Sequence, residues 1–146
     1  MTKLSNSENN MIISVIPHIL KLLDLNGTMG VLQGTNCINC NAISIGANRY
    51  CPNCTSQNVQ TQNLSTKGIL TNYTIVRRAA ASWDGPVPYI LGDVLLPEGV
   101  NVSAELIDCA PSKIYEGMKV DLTLRKGGQD KNNNSIIVYK WIPSDN

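Results

Sequence analysis

Cys37, Cys40, Cys51 and Cys54 form two C-x2-C pairs with ten residues between them, and of the chain's five cysteines only Cys109 stands apart. A two-residue spacer lets both thiolates of a pair point at one ion while nearby backbone amides bond the sulfurs. Four such ligands fill a tetrahedral shell and leave no open position, so the chemistry this spacing predicts is structural and not catalytic. One zinc ion per chain, held in a short-gap zinc ribbon, is the expected occupant. Rubredoxin-type iron would use the same four sulfurs, and spacing does not separate the two metals; the absence of Phe and of a dense aromatic shell favours zinc. A redox disulfide would call for one reactive pair in a thioredoxin-like βαβ setting, which two close pairs in a β-rich chain do not fit. The residue after a knuckle often takes a left-handed conformation; Asn41 suits that position and Thr55 does not, so the second knuckle is expected to turn differently.

No other residues assemble into a catalytic set. His18 is the only histidine and is expected on an N-terminal helix, where a lone histidine is usually a surface or satisfied side chain. Cys109 beside "LID" reads as a small buried residue at a strand end. The carboxylates Asp84, Asp93, Glu98, Glu105, Asp108 and Glu116 show no paired spacing, and no glycine-rich phosphate loop occurs. The chain is therefore expected to carry no catalytic residues of its own. With 12 Lys and Arg against 11 Asp and Glu, net charge +1, no whole-molecule field draws it to nucleic acid or a membrane. Neither a signal peptide nor a membrane span is visible, and paired cysteines outside a secretory context read as metal ligands in a cytoplasmic protein.

The elements that must position these residues are read from periodicity. At 146 residues the chain suits one compact domain, or a small module appended to a second one of about a hundred residues. Ile12, Ile16, Ile19, Leu20 and Leu23 recur at helical spacing, which predicts an amphipathic helix over Val15–Asp24, with Ser14 as cap and Asn26-Gly27 as stop. After Val59 come five segments rich in β-formers, "GILTNYTIV", "PYILGDVLL", "VNVSAELI", "KVDLTLR" and "SIIVYKW", punctuated by Gly, Pro and Asn. Five strands without a helical partner predict a small OB-type barrel. The expected fold is thus mainly β: tail and helix over 1–30, zinc ribbon over 31–60 and a five-stranded barrel over 61–146. Of the two long connections, "RRAAASWDGPVP" is the candidate functional loop and "KGGQDKNNNS" reads as merely flexible.

Taken together, "LQGTNCINCN", "RYCPNC", "GILTNYTIV", "VPYILGDVLLPEGVNVSAELI" and "IYEGMKV" resemble the acyl-CoA-associated family in which a rubredoxin-like zinc ribbon precedes an OB fold, first catalogued as a domain of unknown function. The likeness runs from about Val31 to the C-terminus, with Gly68, Pro88, Val94, Leu96, Gly99 and Gly117 at the family's expected positions. Asn36 and Asn41 depart from the basic residue and the glycine that the family more often has beside the first knuckle. The resemblance implies a small subunit that works with thiolase-fold enzymes on acyl-CoA thioesters, in settings such as archaeal acetoacetyl-CoA thiolase, steroid side-chain aldolases and benzoylsuccinyl-CoA thiolase. Claisen or retro-Claisen chemistry then belongs to a large partner, with the pair assembled as a heterotetramer. Under that reading Arg77 and Arg78 are candidates to grip CoA phosphates, and Trp83 is a candidate anchor for the partner. Paired arginines are otherwise a solvated face, and Trp83 otherwise caps the barrel. A ribbon beside an OB barrel also suits single-stranded nucleic acid, but the Tyr and Trp residues form no evident stacking motif and the charge is near neutral, so this partner is not expected.

Overall fold

The computed structural model describes residues 10–144; residues 1–9, which include the polar start of the tail, and residues 145–146 lie outside it. Ten strands follow in order: β1 (Ile12–Ser14), β2 (Leu20–Leu22), β3 (Gly30–Cys37), β4 (Ile43–Ile45), β5 (Val59–Asn63), β6 (Lys67–Val76), β7 (Tyr89–Leu95), β8 (Asn101–Leu106), β9 (Lys119–Gln129) and β10 (Ser135–Pro143). One 3-10 turn at Pro111–Lys113 is the only helical element among the described residues. No helix there is long and apolar enough to cross a membrane.

The last five strands close on themselves. β6 pairs with β7, β7 with β8, β8 with β10, β10 with β9, and β9 returns to β6. Every pairing is antiparallel except β8 with β10, which is parallel and meets in register at Trp141 and Leu106. That connectivity is the five-stranded OB barrel, and each strand occupies one of the β-rich segments legible in the sequence. Alternation does the work: along β7, Ile90, Gly92 and Val94 turn inward while Leu91 and Leu95 stay exposed. Leu70, Val94, Leu96, Val120, Ile137 and Trp141 fill the interior, so the absence of Phe is met by aliphatic side chains and one indole.

The N-terminal segment is not a helix. β1 runs parallel to β10, with Ile12–Ser14 opposite Ser135–Ile137, and β2 pairs with β3. A single hydrogen-bonded turn lies between them, closed by the Leu20 and Ile19 amides on the Ile16 carbonyl at 2.8 and 2.9 Å. Pro17 allows a first turn and no more, and five β-branched residues between Ile12 and Ile19 favour extended backbone. A tertiary reason completes the explanation. β8 reaches β10 only at its far end, and β1 covers the remaining hydrogen-bonding edge, a need that helical periodicity does not report. The Asn26-Gly27 stop is a hairpin turn, where Gly27 has φ +69° and a Cβ would meet Ile12 and Ile137 side-chain atoms at 2.7 Å.

The β2–β3–β4 sheet, with β5 on the other edge of β3, shares the barrel's core through Leu20, Leu32 and Leu64. Ser65 ties this sheet's exit to the barrel by donating its amide and hydroxyl to Glu98, each at 2.9 Å. The segment read as merely flexible, "KGGQDKNNNS", is an ordered hairpin end. The Asp130 carboxylate accepts the Asn132 and Asn134 amides at 2.9 Å, and the Asn134 amide first among these bonds holds that carboxyl below its ordinary pKa.

Candidate metal centre and flanking surfaces

β3 and β5 bring the two cysteine pairs together. Pairing of Cys37 with Val59 fixes the end of β3, and each C-x2-C pair then closes with the same bonds. The Asn41 amide donates to the Cys37 carbonyl and the Thr55 amide to the Cys51 carbonyl, both at 2.8 Å. The Cys37 amide reaches the Ala42 carbonyl and the Cys51 amide the Ser56 carbonyl, both at 2.9 Å. Identical bonds require identical backbone, and the second knuckle does not turn differently: Asn41 has φ 65° and Thr55 φ 66°. Thr55 holds a left-handed conformation that its branched Cβ disfavours by about 1–2 kcal/mol. Replacing Thr55 with Gly is expected to raise stability by about 0.5–1 kcal/mol, read as a higher denaturation midpoint with metal content unchanged.

The four sulfurs lie within 4.8 Å of one another, with Cys37 to Cys54 and Cys40 to Cys51 each at 3.6 Å. A tetrahedral ion with metal–sulfur bonds of about 2.3 Å has sulfur–sulfur edges of about 3.8 Å, so the donor set fits such an ion, whereas a disulfide would need about 2.05 Å. Cys37 and Cys51 are buried and the other two half-buried. Amides surround the sulfurs: Cys40 N–H points at Cys37 Sγ (3.4 Å), and Asn53 and Cys54 N–H at Cys51 Sγ (3.3 and 3.4 Å). Two side chains cross between the knuckles, Asn39 Nδ2 to Cys54 Sγ and Asn53 Nδ2 to Cys40 Sγ, each at 3.5 Å. The Asn53 amide, with the Ala42 backbone, pulls the Cys40 thiol down to about 6, and Asn39 with the Ser56 backbone lowers that of Cys54. The Cys40 amide also favours the Cys37 thiolate, yet burial and proton sharing with Cys54 push its pKa up to about 11 in the metal-free thiols. Amides that stabilise thiolate charge are the outer shell a tetrathiolate ion needs. Both knuckles read C-x-N-C, and that shared asparagine was the sequence signal for these donors.

The other candidates lie elsewhere. Arg77 and Arg78 are exposed directly after β6, and neither joins an ion pair among the described residues. Trp83, on the same loop, is half-buried and stacks on Tyr89 with ring centroids 3.9 Å apart, its indole N–H donating to the Pro86 carbonyl at 3.2 Å. It also walls a shallow depression in which Lys140 and Glu105 pair at 2.8 Å across β8 and β10. His18 is exposed and Cys109 half-buried, with burial raising the thiol's pKa. The outer face of β7 and β8, where OB barrels commonly carry stacking aromatics, presents Tyr89 under Trp83 at one end and Leu91, Asp93, Leu95, Ser103 and Glu105 along the rest. Trp141 is consumed by the core.

Fold and site together define a class: a β protein in which a four-cysteine cluster able to hold a metal ion precedes an OB barrel. Residues 61–125 match the model of the ChsH2 C-terminal OB-fold domain. A DUF35 domain-containing scaffold protein of Pyrococcus furiosus is 37% identical over 94 residues, 64% of this chain and 69% of that protein. Another from Methanocaldococcus jannaschii is 29% identical over 117 residues, covering 79% and 83%. A chain of the solved Ltp2-ChsH2(DUF35) aldolase superposes with a TM-score of 0.61 at 25% identity, covering 77% of this chain and 84% of that one. The chain belongs to the DUF35 domain-containing scaffold protein family.

Proposed function

We propose that this chain is a non-catalytic accessory subunit of a thiolase-fold acyl-CoA enzyme, assisting acyl-CoA binding and complex assembly for thiolytic C–C bond cleavage or formation. Membership of a family whose curated relatives are scaffold proteins carries the reading. The likeness to a chain of an Ltp2-ChsH2 aldolase supports an enzyme as the thing scaffolded. So does the chain's own chemistry: its lone histidine is exposed, and its only cysteine outside the cluster has a thiol made less acidic by burial.

In this reading residues 31–60 form a structural zinc module held by Cys37, Cys40, Cys51 and Cys54, and residues 61–146 form the OB barrel. The large subunit supplies nucleophile and base, one small chain serves each large one in a cytoplasmic heterotetramer, and Arg77 and Arg78 offer two charge-assisted grips for the CoA phosphates. Trp83, pinned by Tyr89 and Pro86, is a preorganised aromatic for the interface. Nucleic-acid binding loses ground because the outer face of β7 and β8 offers one stacked pair, Trp83 on Tyr89, and carries Asp93 and Glu105.

Replacing Trp83 with Ala is expected to weaken association with the large subunit by about thirtyfold in a pull-down titration, the effect of a roughly 2 kcal/mol hot spot. An unchanged dissociation constant would remove Trp83 from the interface. Calorimetry of the Arg77→Ala/Arg78→Ala complex is expected to show weaker CoA binding. A gel shift with single-stranded DNA and RNA near physiological salt is expected to show no complex; tight binding would favour the nucleic-acid reading.

A further inference from the structure

A cleft of about 790 Å³ lies away from the cysteines and from the Arg77–Trp83 loop. It crosses the start of β6, the end of β7 and the start of β9. Register sets its floor. Ile69 stands between Leu95 on one side and Lys119 on the other, and one step along the strands Lys67 stands opposite Asp121. These positions point outward, so Ile69 and Leu95 remain 39% and 38% exposed where the alternation would ordinarily place polar residues. Pro97 extends the apolar floor.

Among the described residues, the charges on this floor do not cancel. Asp121 accepts from Lys67 Nζ at 3.1 Å and from the Ser144 hydroxyl at 2.7 Å, so its charge is already matched. Lys119 makes no ion pair among the described residues, so the described side chains lining the cleft carry one cation in excess beside an apolar pair. Two exposed aliphatic side chains are too small a patch for a protein interface, and the volume falls in the range of small-ligand clefts. An apolar floor with one unmatched cation at its edge is complementary to a ligand of the opposite pattern. Ile69 is also eight residues before Arg77 along an extended strand, a separation of up to about 26 Å.

We propose that this cleft binds a small amphipathic anion: an aliphatic chain lying over Ile69, Leu95 and Pro97, with a carboxylate or phosphate monoester at Lys119. No nucleotide is needed for recognition, and the site is distinct from the CoA grip assigned to Arg77 and Arg78. The proposal does not depend on a partner enzyme, since every group it uses belongs to this chain.

The test is a titration of the isotope-labelled, metal-loaded full chain with octanoate, octyl phosphate, octanol and octylamine, following backbone amide resonances. Octanoate or octyl phosphate is expected to give saturable shifts centred on Ile69, Leu95 and Lys119, and the tighter of the two identifies the head group. Octanol should bind about tenfold more weakly and octylamine not measurably. Lys119→Gln, an exposed change that leaves the core intact, should weaken octanoate about tenfold and leave octanol unaltered, whereas Leu95→Asn should weaken both. Absence of saturable shifts in this cleft, equal affinity for octanol and octanoate, or unchanged octanoate affinity in Lys119→Gln would each overturn the proposal.

Discussion

Replacing Cys51 with Ser is expected to empty the metal site and unfold residues 37–58 while the barrel strands stay folded. Across that stretch only Cys37, Gly46 and Cys51 are buried, and the apolar packing on the core comes from half-buried Ile43 and Ile45 of β4, so apolar contact contributes modestly to holding it. Its order rests on the two knuckles and on the β3 pairings with β4 and β5. Structural zinc supplies on the order of 10 kcal/mol to the folding of small modules, as much as the whole stability of a typical domain. Losing one of four ligands leaves three thiolates without a closed shell, and a serine hydroxyl does not replace a thiolate at neutral pH. Metal analysis should fall from one zinc per chain toward none, and amide exchange at Cys37, Asn41, Cys51 and Thr55 should become fast while Leu70, Val94 and Val120 keep their protection. Retained protection at the knuckles in a metal-free variant would mean that hydrogen bonding alone holds them. Because thiolates bind the ion and thiols do not, acid has the same direction of effect: affinity is expected to fall with pH, steeply once Cys40 protonates below about 6.

Trp141→Ala carries the second large effect. This side chain is fully buried, faces Leu122 across β9 and Leu106 across β8, and marks the only registered meeting of β8 with β10. Truncation removes the largest fully buried side chain at the point where the barrel closes, which places the expected cost at about 3–5 kcal/mol. The indole N–H makes a second variant informative. It is buried without a hydrogen-bond partner among the described residues, a condition that costs about 1–3 kcal/mol. Trp141→Phe forfeits part of the volume but also removes that orphan donor, so it should cost well under half of what Trp141→Ala does. Chemical denaturation followed by far-UV circular dichroism separates the two. Equal losses would show that the N–H is satisfied in solution.

The barrel strands and the convergence of the four cysteines were legible in the sequence, whereas the N-terminal segment and the other surfaces were not, and the reasons differ. Val100, Val102, Ala104 and Leu106 alternate because one face of β8 meets the core, so period and punctuation reported the strand. The cysteine spacing is itself the geometry of the knuckle, so the four sulfurs converge. Ile12, Ile16, Ile19, Leu20 and Leu23 mimic a helix because two short strands and a turn bury a subset of them: Leu20 is wholly buried and Leu23 is 48% exposed. What overrode the local pattern was the free edge of β10, more than a hundred residues away in sequence. Thr55 shows the same principle at one residue, where the bonds of the knuckle dictate a conformation the side chain resists. Tyr89 as the partner of Trp83, and the Ile69–Leu95–Lys119 row, depend on cross-strand register, which no single segment encodes.

Tagged purification from the native host, with mass spectrometry of co-eluting proteins and metal analysis of the same fraction, tests the accessory-subunit reading most directly. The expected result is a thiolase-fold acyl-CoA enzyme in equal amount with this chain and one zinc per chain, the partner's own substrate then naming the reaction. Recovery of the chain alone, or of nucleic acid and ribonucleoprotein in place of an enzyme, would contradict it.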